Sequence, residues 1–205
     1  MDQRRARRAP DSAALPINLQ DLLAELTSGD DARAENSIPA LVALGDAALP
    51  TLLDLTRADD ADSRWWATRA LAASPHTRSA DLLPMLNDPA PDVRAAAALA
   101  LCERPDESAI EALIKTLADE DSLAAGLAGN ALAKIGFPAT PSLLKVMAEA
   151  PTGVRILALR ALSEIRDQRA IPAILKALGE ESAVLQYWAQ IGLERLGLDM
   201  VYIKP

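Results

Sequence analysis

The sequence is short of the residues from which metal and catalytic sites are usually built. It has one cysteine, Cys102, and one histidine, His76, in 205 residues. A lone cysteine excludes a disulfide within the chain and fits a reducing compartment. So few ligands exclude the usual histidine- and cysteine-rich clusters for zinc or iron, and we expect neither a metal nor a cofactor. His76 follows Pro75, where we expect a solvated loop imidazole.

Long apolar runs and phosphate-binding loops are also missing. No stretch of about 18 apolar residues appears, and no apolar core follows the N-terminal arginines, so neither a membrane span nor a secretory signal is predicted. The expected location is the cytoplasm. Gly126 and Gly129 fall inside a predicted helix, where close packing is the expected reason for both. Because no nucleophile, metal set or phosphate loop stands out, we predict no catalytic residues and a chain that is not an enzyme.

Negative charge dominates, but it is unevenly placed. The net charge is −8, while the first ten residues carry four arginines against Asp2, which leaves −11 for the rest. An acidic body repels phosphate backbones, so nucleic acid is a disfavoured partner. Residues 1–15 are predicted to be a disordered basic arm. It either keeps the protein soluble or contacts an acidic partner, a membrane surface or RNA.

A repeated pattern organises the chain. Val93-Arg94 follows an acidic turn and leads to Ala97 and Ala100-Leu101, and the same pattern recurs along the sequence. The positions equivalent to the arginine are 64, 94, 125, 155 and 186, with steps of 30, 31, 30 and 31. A fixed period of this length is typical of stacked-repeat solenoids. We predict an all-α solenoid of about six helix pairs over residues 16–198.

Prolines mark the helix starts. Pro50, Pro141 and Pro172 lie at one position of the repeat, where a missing N–H costs little because it would lack an intrahelical partner. Pro84 falls a turn later and is expected to kink its helix. Pro39 lies in the irregular first repeat, whose second helix is therefore expected either to begin late, capped near Ser37, or to bend.

These motifs resemble the HEAT-repeat family, most closely its phycobilisome-lyase-type variety. The resemblance covers about residues 17–198 and is carried by the Ala-Ile-Pro opening at 170–175, the acidic turn and Val-Arg helix at 88–97, and the closing Ala-Leu pairs. It implies that second helices line the concave surface. It also implies a structural ladder between neighbouring repeats, formed by an acid and an arginine six residues apart. Two pairs keep both halves of this motif: Asp88 with Arg94, and Glu149 with Arg155.

Aromatic residues are few but clustered. Four of the six form two adjacent pairs, Trp65-Trp66 and Tyr187-Trp188, directly after an arginine-equivalent position. At about 100° per residue, the first member of each pair lies opposite the buried arc and the second lies on its flank. The resemblance then places Trp65 and Tyr187 on the concave surface.

The row through these two residues is apolar along the whole stack, with Trp65, Ala95, Gly126, Ile156 and Tyr187 in order. A solvent-facing row should be polar, so this one predicts a partner site. We expect a helix or extended peptide there, with Arg69 and Arg160 meeting its acids. The alternative is that strong curvature packs these side chains against neighbouring repeats. The predicted partner-binding residues are Trp65, Trp66, Arg69, Leu99, Ile156, Arg160, Tyr187, Trp188 and Ile191.

The last segment, residues 199–205, leaves the helical pattern after Gly197. Its apolar Val201, Tyr202 and Ile203 are expected to cover the last repeat, or to serve docking or dimerisation.

The favoured function is a non-catalytic scaffold that binds a protein or peptide on its concave face. The alternative is a chromophore (bilin) lyase or lyase-chaperone subunit, with the groove sheltering a tetrapyrrole. A HEAT-like DNA glycosylase is less favoured, because that type uses aromatics and an acid in a basic groove whereas this body is acidic.

Overall fold

The computed structural model describes residues 18–198, which form twelve α-helices in six consecutive pairs. The predicted arm at 1–15 and tail at 199–205 lie outside the described residues. The first helices of the pairs are α1 (Leu19–Leu26), α3 (Leu49–Leu55), α5 (Ser79–Leu82), α7 (Ile110–Thr116), α9 (Thr140–Glu149) and α11 (Ile171–Leu178). The second helices are α2 (Asp31–Ala43), α4 (Ala61–Ala73), α6 (Pro91–Glu103), α8 (Ser122–Ile135), α10 (Thr152–Ile165) and α12 (Ala183–Arg195).

The sequence period coincides with the structural repeat. Each arginine-equivalent position is the fourth residue of its second helix, in α4, α6, α8, α10 and α12. The turn before the helix supplies the cap in several repeats. Asp60 accepts a hydrogen bond from the Ser63 backbone N–H at 2.7 Å, and Asp121 accepts one from that of Ala124 at 2.8 Å. These carboxylates satisfy amide groups that the helix itself leaves unpaired.

The prolines act as predicted in the later repeats. Pro50, Pro141 and Pro172 are each the second residue of a first helix. The expected kink at Pro84 is a full break: α5 ends at Leu82 and continues as a 3₁₀ segment, Leu83–Asn87.

In the first repeat the structure excludes one of the two predicted alternatives, the late start of the second helix. Helix α2 does not begin near Ser37 but at Asp31, where Asp30 accepts a hydrogen bond from the Arg33 backbone N–H at 3.0 Å. Ser37 is buried within the helix and donates to the carbonyl oxygen of Ala34 at 2.7 Å. The aspartate cap is strong enough to start the helix two turns earlier, and the exposed Pro39 is accommodated inside it.

Second helices stack along the molecule, because small residues let them approach closely. Contacts join α4 to α6, α6 to α8, α8 to α10 and α10 to α12. Two buried columns run through them, at three and seven residues after the arginine-equivalent position. The first consists of Ala67, Ala97, Ala128, Ala158 and Ala189, and the second of Leu71, Leu101, Leu132, Leu162 and Leu193. This continuous core explains why no single repeat needs a core of its own.

An ion-pair ladder crosses the repeat boundaries. Arg64 Nε lies 2.7 Å from Asp88 Oδ2, and Arg94 Nε lies 2.7 Å from Asp119 Oδ2, each pair having a second, parallel contact. Arg155 pairs with Glu180 across the last boundary through Nη2 alone, while its Nε donates to the carbonyl oxygen of Met147 at 3.0 Å. Each arginine therefore bonds an acid of the following repeat.

The ladder joins neighbouring repeats as the resemblance implies, but an acid and an arginine six residues apart do not form an ion pair with each other. Asp88 does not pair with Arg94 six residues on. Instead, the backbone carbonyl of Asp88 accepts from Arg94 Nη1 at 2.9 Å, as that of Ala58 accepts from Arg64 Nη1 at 3.0 Å. Six residues is the reach of an arginine to its own turn, whereas the carboxylate is bound by the arginine of the preceding repeat. Glu149 forms no ion pair within residues 18–198, because Ala125 replaces the arginine that would reach it.

Ladder contacts lower the pKa of the acids that they engage. The guanidinium of Arg94 lowers the pKa of Asp119, and that of Arg155 lowers the pKa of Glu180, against the opposing effect of burial. Near the last repeat, Arg169 lowers the pKa of Asp167 to about 2 by hydrogen bonds from its side chain and backbone.

These shifts predict loss of stability in acid. A carboxyl whose pKa is lower in the folded state stabilises the protein above its unfolded pKa, and this contribution is lost as the pH falls through the folded pKa. For Asp167 the window runs from 3.8 down to about 2. In urea titrations at pH 6, 4 and 3, the free energy of unfolding should decrease as the pH is lowered through this window. Asp167→Asn should show a smaller fall, and an identical pH profile for this variant would contradict the assignment.

Arg166 has an uncommon backbone conformation. It ends α10 with φ at 59°, whereas Gly45 and Gly136 hold the corresponding positive φ after α2 and α8. A side chain in the left-handed region carries a steric cost that glycine avoids. We therefore expect Arg166→Gly to raise the free energy of unfolding by about 1 kcal/mol in urea titrations. Arg57→Gly, in the turn after α3 and without a positive φ, is the control, and a gain there of the same size would refute the conformational explanation.

Candidate functional site

The exposed face of the second helices carries large apolar side chains. Leu99 is 48% exposed and Tyr187 is 57% exposed, while Trp65, Ile156 and Ile191 are half-buried. Helices α4 and α12 thus present aromatic rings near the two ends of one surface, which we call the groove. The expectation that side chains of this row reach solvent holds in the structure for Trp65 and Tyr187.

The two aromatic pairs differ in depth. Trp65 and Trp66 meet edge to face with ring centroids 4.7 Å apart, and Tyr187 and Trp188 do so at 5.4 Å. Trp66 is only 5% exposed and belongs to the core, although it also lines the cavity beside Trp65, so little of its ring is open to a partner. One residue of helical rotation carries its ring from the groove into the protein interior. Trp188 is half-buried on the flank.

Both predicted anion-binding arginines are already engaged. Arg69 Nη2 lies 3.0 Å from Glu35 Oε1, a contact that joins α4 to α2. Arg160 donates to the side-chain oxygen of Asn130, and its guanidinium carbon lies 6.0 Å from the centre of the Trp188 ring. The contact with Glu35 neutralises Arg69, and the contact with Asn130 orients Arg160. The amino-acid sequence alone did not reveal either contact.

Glycine in the middle of the groove leaves open space. A Cβ placed on Gly126 would have no heavy atom within 4 Å, so close packing does not explain this residue as predicted. Packing does explain Gly129, whose Cβ would lie 3.6 Å from Leu117 Cδ2. Ala95, next along the row, is 6% exposed. Between Trp65 and Ile156, this row of the groove therefore carries only the small residues Ala95 and Gly126.

Sequence reasoning missed several residues of the groove. Leu123 is 59% exposed on α8 and, with the half-buried Leu127, lines a cavity of about 820 Å³ beside Trp65 and Leu99. Leu123 and Val184 occupy the second helical position, where α4 and α6 have aspartates. The replacement of an aspartate by an apolar residue at this position could have indicated from the sequence that Leu123 and Val184 are exposed apolar residues. The acids that line the same cavity are Asp31, Asp62, Asp92 and Glu103.

Titratable groups elsewhere form no metal centre among the described residues. No group of three or more His, Cys, Asp or Glu side chains within residues 18–198 is arranged to hold an ion. His76 lies at the surface with Nδ1 2.9 Å from Asp46 Oδ1. Burial raises the pKa of the half-buried Cys102 thiol, which makes it a poor nucleophile at neutral pH.

Within the same residues no single helix is long and apolar enough to cross a membrane. One pair, Asp31–Ala43 with Gly45–Leu55, reaches the required length and composition only when its two arms, bent by 117°, are taken together.

Comparison with known families explains this architecture. Residues 79–153 match the family of HEAT repeats, and residues 154–180 match the PBS lyase HEAT-like repeat. The chain is a HEAT-repeat protein. This confirms the resemblance seen in the motifs and the predicted all-α solenoid. A designed armadillo repeat protein in complex with the peptide (KR)4 shares the fold, with a TM-score of 0.52 and 19% identity over 87% of this chain and 99% of that chain.

Two further similarities concern phycobilisome proteins. The HEAT-repeat chain is 36% identical over 105 residues to a phycobilisome maturation protein of Synechococcus elongatus, a match that covers 51% of this chain and 50% of that protein. It thus spans about half the length of this relative. It also resembles a chain in the CpcE–CpcF complex of phycocyanin lyase from Nostoc sp. PCC7120. There the TM-score is 0.54, with 25% identity over 70% of this chain and 96% of that chain.

These two matches correct the prediction that the HEAT-repeat chain is not an enzyme. The relative is a phycobilisome maturation protein, and the structural neighbour is a chain of a phycocyanin lyase. That prediction rested on the absence of a nucleophile, a set of metal ligands and a phosphate-binding loop. A repeat surface that takes part in a reaction by holding the reactants needs none of these, so their absence was not evidence against a lyase.

Proposed function

We propose that this protein is a bilin lyase subunit or lyase-chaperone that acts in phycobiliprotein maturation. The observation that carries the proposal is the groove, with Trp65 and Tyr187 near its ends and an open centre at Gly126. The similarity to a phycobilisome maturation protein and to phycocyanin lyase supports this use of it. A cytoplasmic site of action is part of the proposal.

The groove would contribute to the reaction by orientation. It offers aromatic and aliphatic side chains over three or more repeats, as surfaces for an apolar helix do. Holding an acceptor protein and its chromophore in one geometry replaces a bimolecular encounter by an intramolecular one, which accounts for large rate effects without a nucleophile from this chain. The proposed partner-binding residues are Trp65, Arg69, Leu99, Leu123, Ile156, Arg160, Tyr187, Trp188 and Ile191.

The DNA glycosylase alternative receives no support from the groove. That function needs a basic channel, because phosphate contacts dominate binding to DNA. The cavity beside Trp65 is instead lined by Asp31, Asp62, Asp92 and Glu103.

Substitution of Gly126 tests the proposal with a matched control. Gly126→Trp would fill the open centre of the groove, whereas Gly126→Ala adds only a methyl group in open space. The full chain, with and without a lyase partner subunit, would be mixed with a chromophore-free phycobiliprotein and bilin. Association would be measured by gel filtration, and attachment by absorbance that survives denaturation.

We expect wild type and Gly126→Ala to associate with the phycobiliprotein or to promote bilin attachment, and Gly126→Trp to lose at least about tenfold in affinity. Circular dichroism must show that all three are folded. If the wild type neither associates nor promotes attachment in any of these mixtures, the proposed function is wrong. If Gly126→Trp behaves as wild type, the groove is not the surface involved.

A further inference from the structure

The N-terminal part of the groove contains a cavity whose chemistry selects its occupant. We call it the N-terminal pocket: the cavity of about 820 Å³ between Trp65 on α4, Leu99 on α6 and Leu123 on α8. Leu99 and Leu123 are 48% and 59% exposed. Exposed leucines on adjacent helices indicate a surface that a binding partner covers with apolar side chains of its own.

Charge around this pocket is of one sign. Asp31, Asp62 and Asp92 line it, each is exposed at the start of a second helix, and none forms an ion pair within residues 18–198. Arg69 is the one basic residue in the lining, and it is paired with Glu35. A molecule bound in the pocket would therefore contact carboxylates that form no ion pair with a basic residue among residues 18–198.

Trp65 adds a second preference for a cation. Its ring is half-buried, stands edge to face against Trp66 and lines the pocket. The π face of tryptophan attracts ammonium and guanidinium groups. An indole beside unpaired carboxylates is suited to a lysine or arginine side chain, with leucines a short distance away for the apolar part of the same segment.

Anionic occupants fit poorly. An acidic peptide, a phosphate backbone or the carboxylate side chains of a tetrapyrrole would face Asp62 and Asp92 across the pocket, and like charges at short range repel. Arg69 is already paired with Glu35, so it offers an anionic occupant less than an unpaired arginine would.

We propose that the N-terminal pocket binds a basic amphipathic segment of the partner protein. Its lysine or arginine side chains would lie between Trp65 and the carboxylates of Asp62 and Asp92, and its apolar side chains would cover Leu99 and Leu123. This inference rests on the proposed function in that it uses the same groove. It names the kind of protein segment that the groove receives.

A pair of synthetic peptides tests the charge preference directly. One is a fluorescent helix-forming peptide of about 15 residues with leucines on one face and lysines flanking them, and the other replaces every lysine with glutamate. Each would be titrated with the full chain, and binding followed by fluorescence anisotropy at low and at high salt. We expect the lysine peptide to bind, more weakly at high salt, and the glutamate peptide not to bind.

Two double variants locate the site. Asp62→Asn with Asp92→Asn should weaken binding of the lysine peptide by roughly fivefold, since each exposed charge pair contributes modestly. The control, Asp54→Asn with Glu111→Gln, makes the same change of net charge on first helices α3 and α7 and should leave binding unchanged. Thermal melts followed by circular dichroism must show that both double variants remain folded.

Several outcomes would overturn the inference. These are tighter binding of the glutamate peptide, equal weakening by the control variant, or binding that appears only after Arg4, Arg5, Arg7 and Arg8 are replaced by alanine. The last result would make the chain's own N-terminal segment the occupant. If the lysine peptide binds as expected but no phycobiliprotein associates, the proposed function fails and the inference stands.

Discussion

Arg94→Met is expected to lower the free energy of unfolding by about 3 kcal/mol in urea titrations at neutral pH. Arg94 Nε and Nη2 each lie 2.7 Å from a carboxylate oxygen of Asp119, and Nη1 donates to the carbonyl oxygens of Asp88 and Pro89. The side chains of Arg94 and Asp119 are only 17% and 9% exposed. Removing the guanidinium leaves a largely buried carboxylate without a cation, and methionine keeps the volume of the arginine stem.

Arg33→Met provides the control for the Arg94–Asp119 ion pair. Arg33 forms an ion pair with Glu25, but these side chains are 57% and 41% exposed, so its loss should change the free energy of unfolding by less than about 1 kcal/mol. Similar small losses in both variants would mean that the ladder does not hold the repeats together.

Gly192→Val is expected to lower the free energy of unfolding by about 2 kcal/mol. A Cβ on Gly192 would lie 2.8 Å from Ser163 Oγ and 3.2 Å from Ile174 Cδ1. Ser163 cannot move freely, because its Oγ lies 2.8 Å from the carbonyl oxygen of Leu159 and 3.1 Å from that of Trp188. The substitution therefore pushes α12 away from α10 and α11.

The matched control is Gly126→Ala, since both glycines lie inside second helices. Nothing lies within 4 Å of a Cβ at Gly126, so alanine there should raise the free energy of unfolding by up to about 1 kcal/mol through its higher helix propensity. Chemical denaturation of both variants checks the pair of predictions. Stabilisation by Gly192→Val would show that α12 repacks without strain.

The groove was only partly predictable. Helical periodicity assigns Trp65 and Tyr187 to an outward row, because a helix repeats its direction every 3.6 residues whatever surrounds it. The same wheel put Trp66 on the flank, and only its packing shows that the ring is buried. The partners of Arg69 and Arg160 were also out of reach, since Glu35 and Asn130 lie 34 and 30 residues away along the chain.

Function was harder to predict for a related reason. The absence of catalytic motifs suggested a non-catalytic scaffold, whereas the proposed lyase-related function rests on the similarity to a phycobilisome maturation protein and to phycocyanin lyase. A repeat surface has no sequence signature for chemistry, because its contribution depends on shape and on which side chains face one another across repeats.

By itself the sequence determined the repeat length, the all-α solenoid and the positions of its helices. These follow from local rules: apolar periodicity, acidic caps such as Asp60, and prolines such as Pro141 at helix starts. Tertiary structure decided the contacts between repeats. It pairs Arg64 with Asp88 rather than with its own turn's acid, buries Trp66, and leaves Gly126 open. Such contacts join residues 24 or more positions apart, and their geometry is set by how successive helix pairs stack rather than by any one segment.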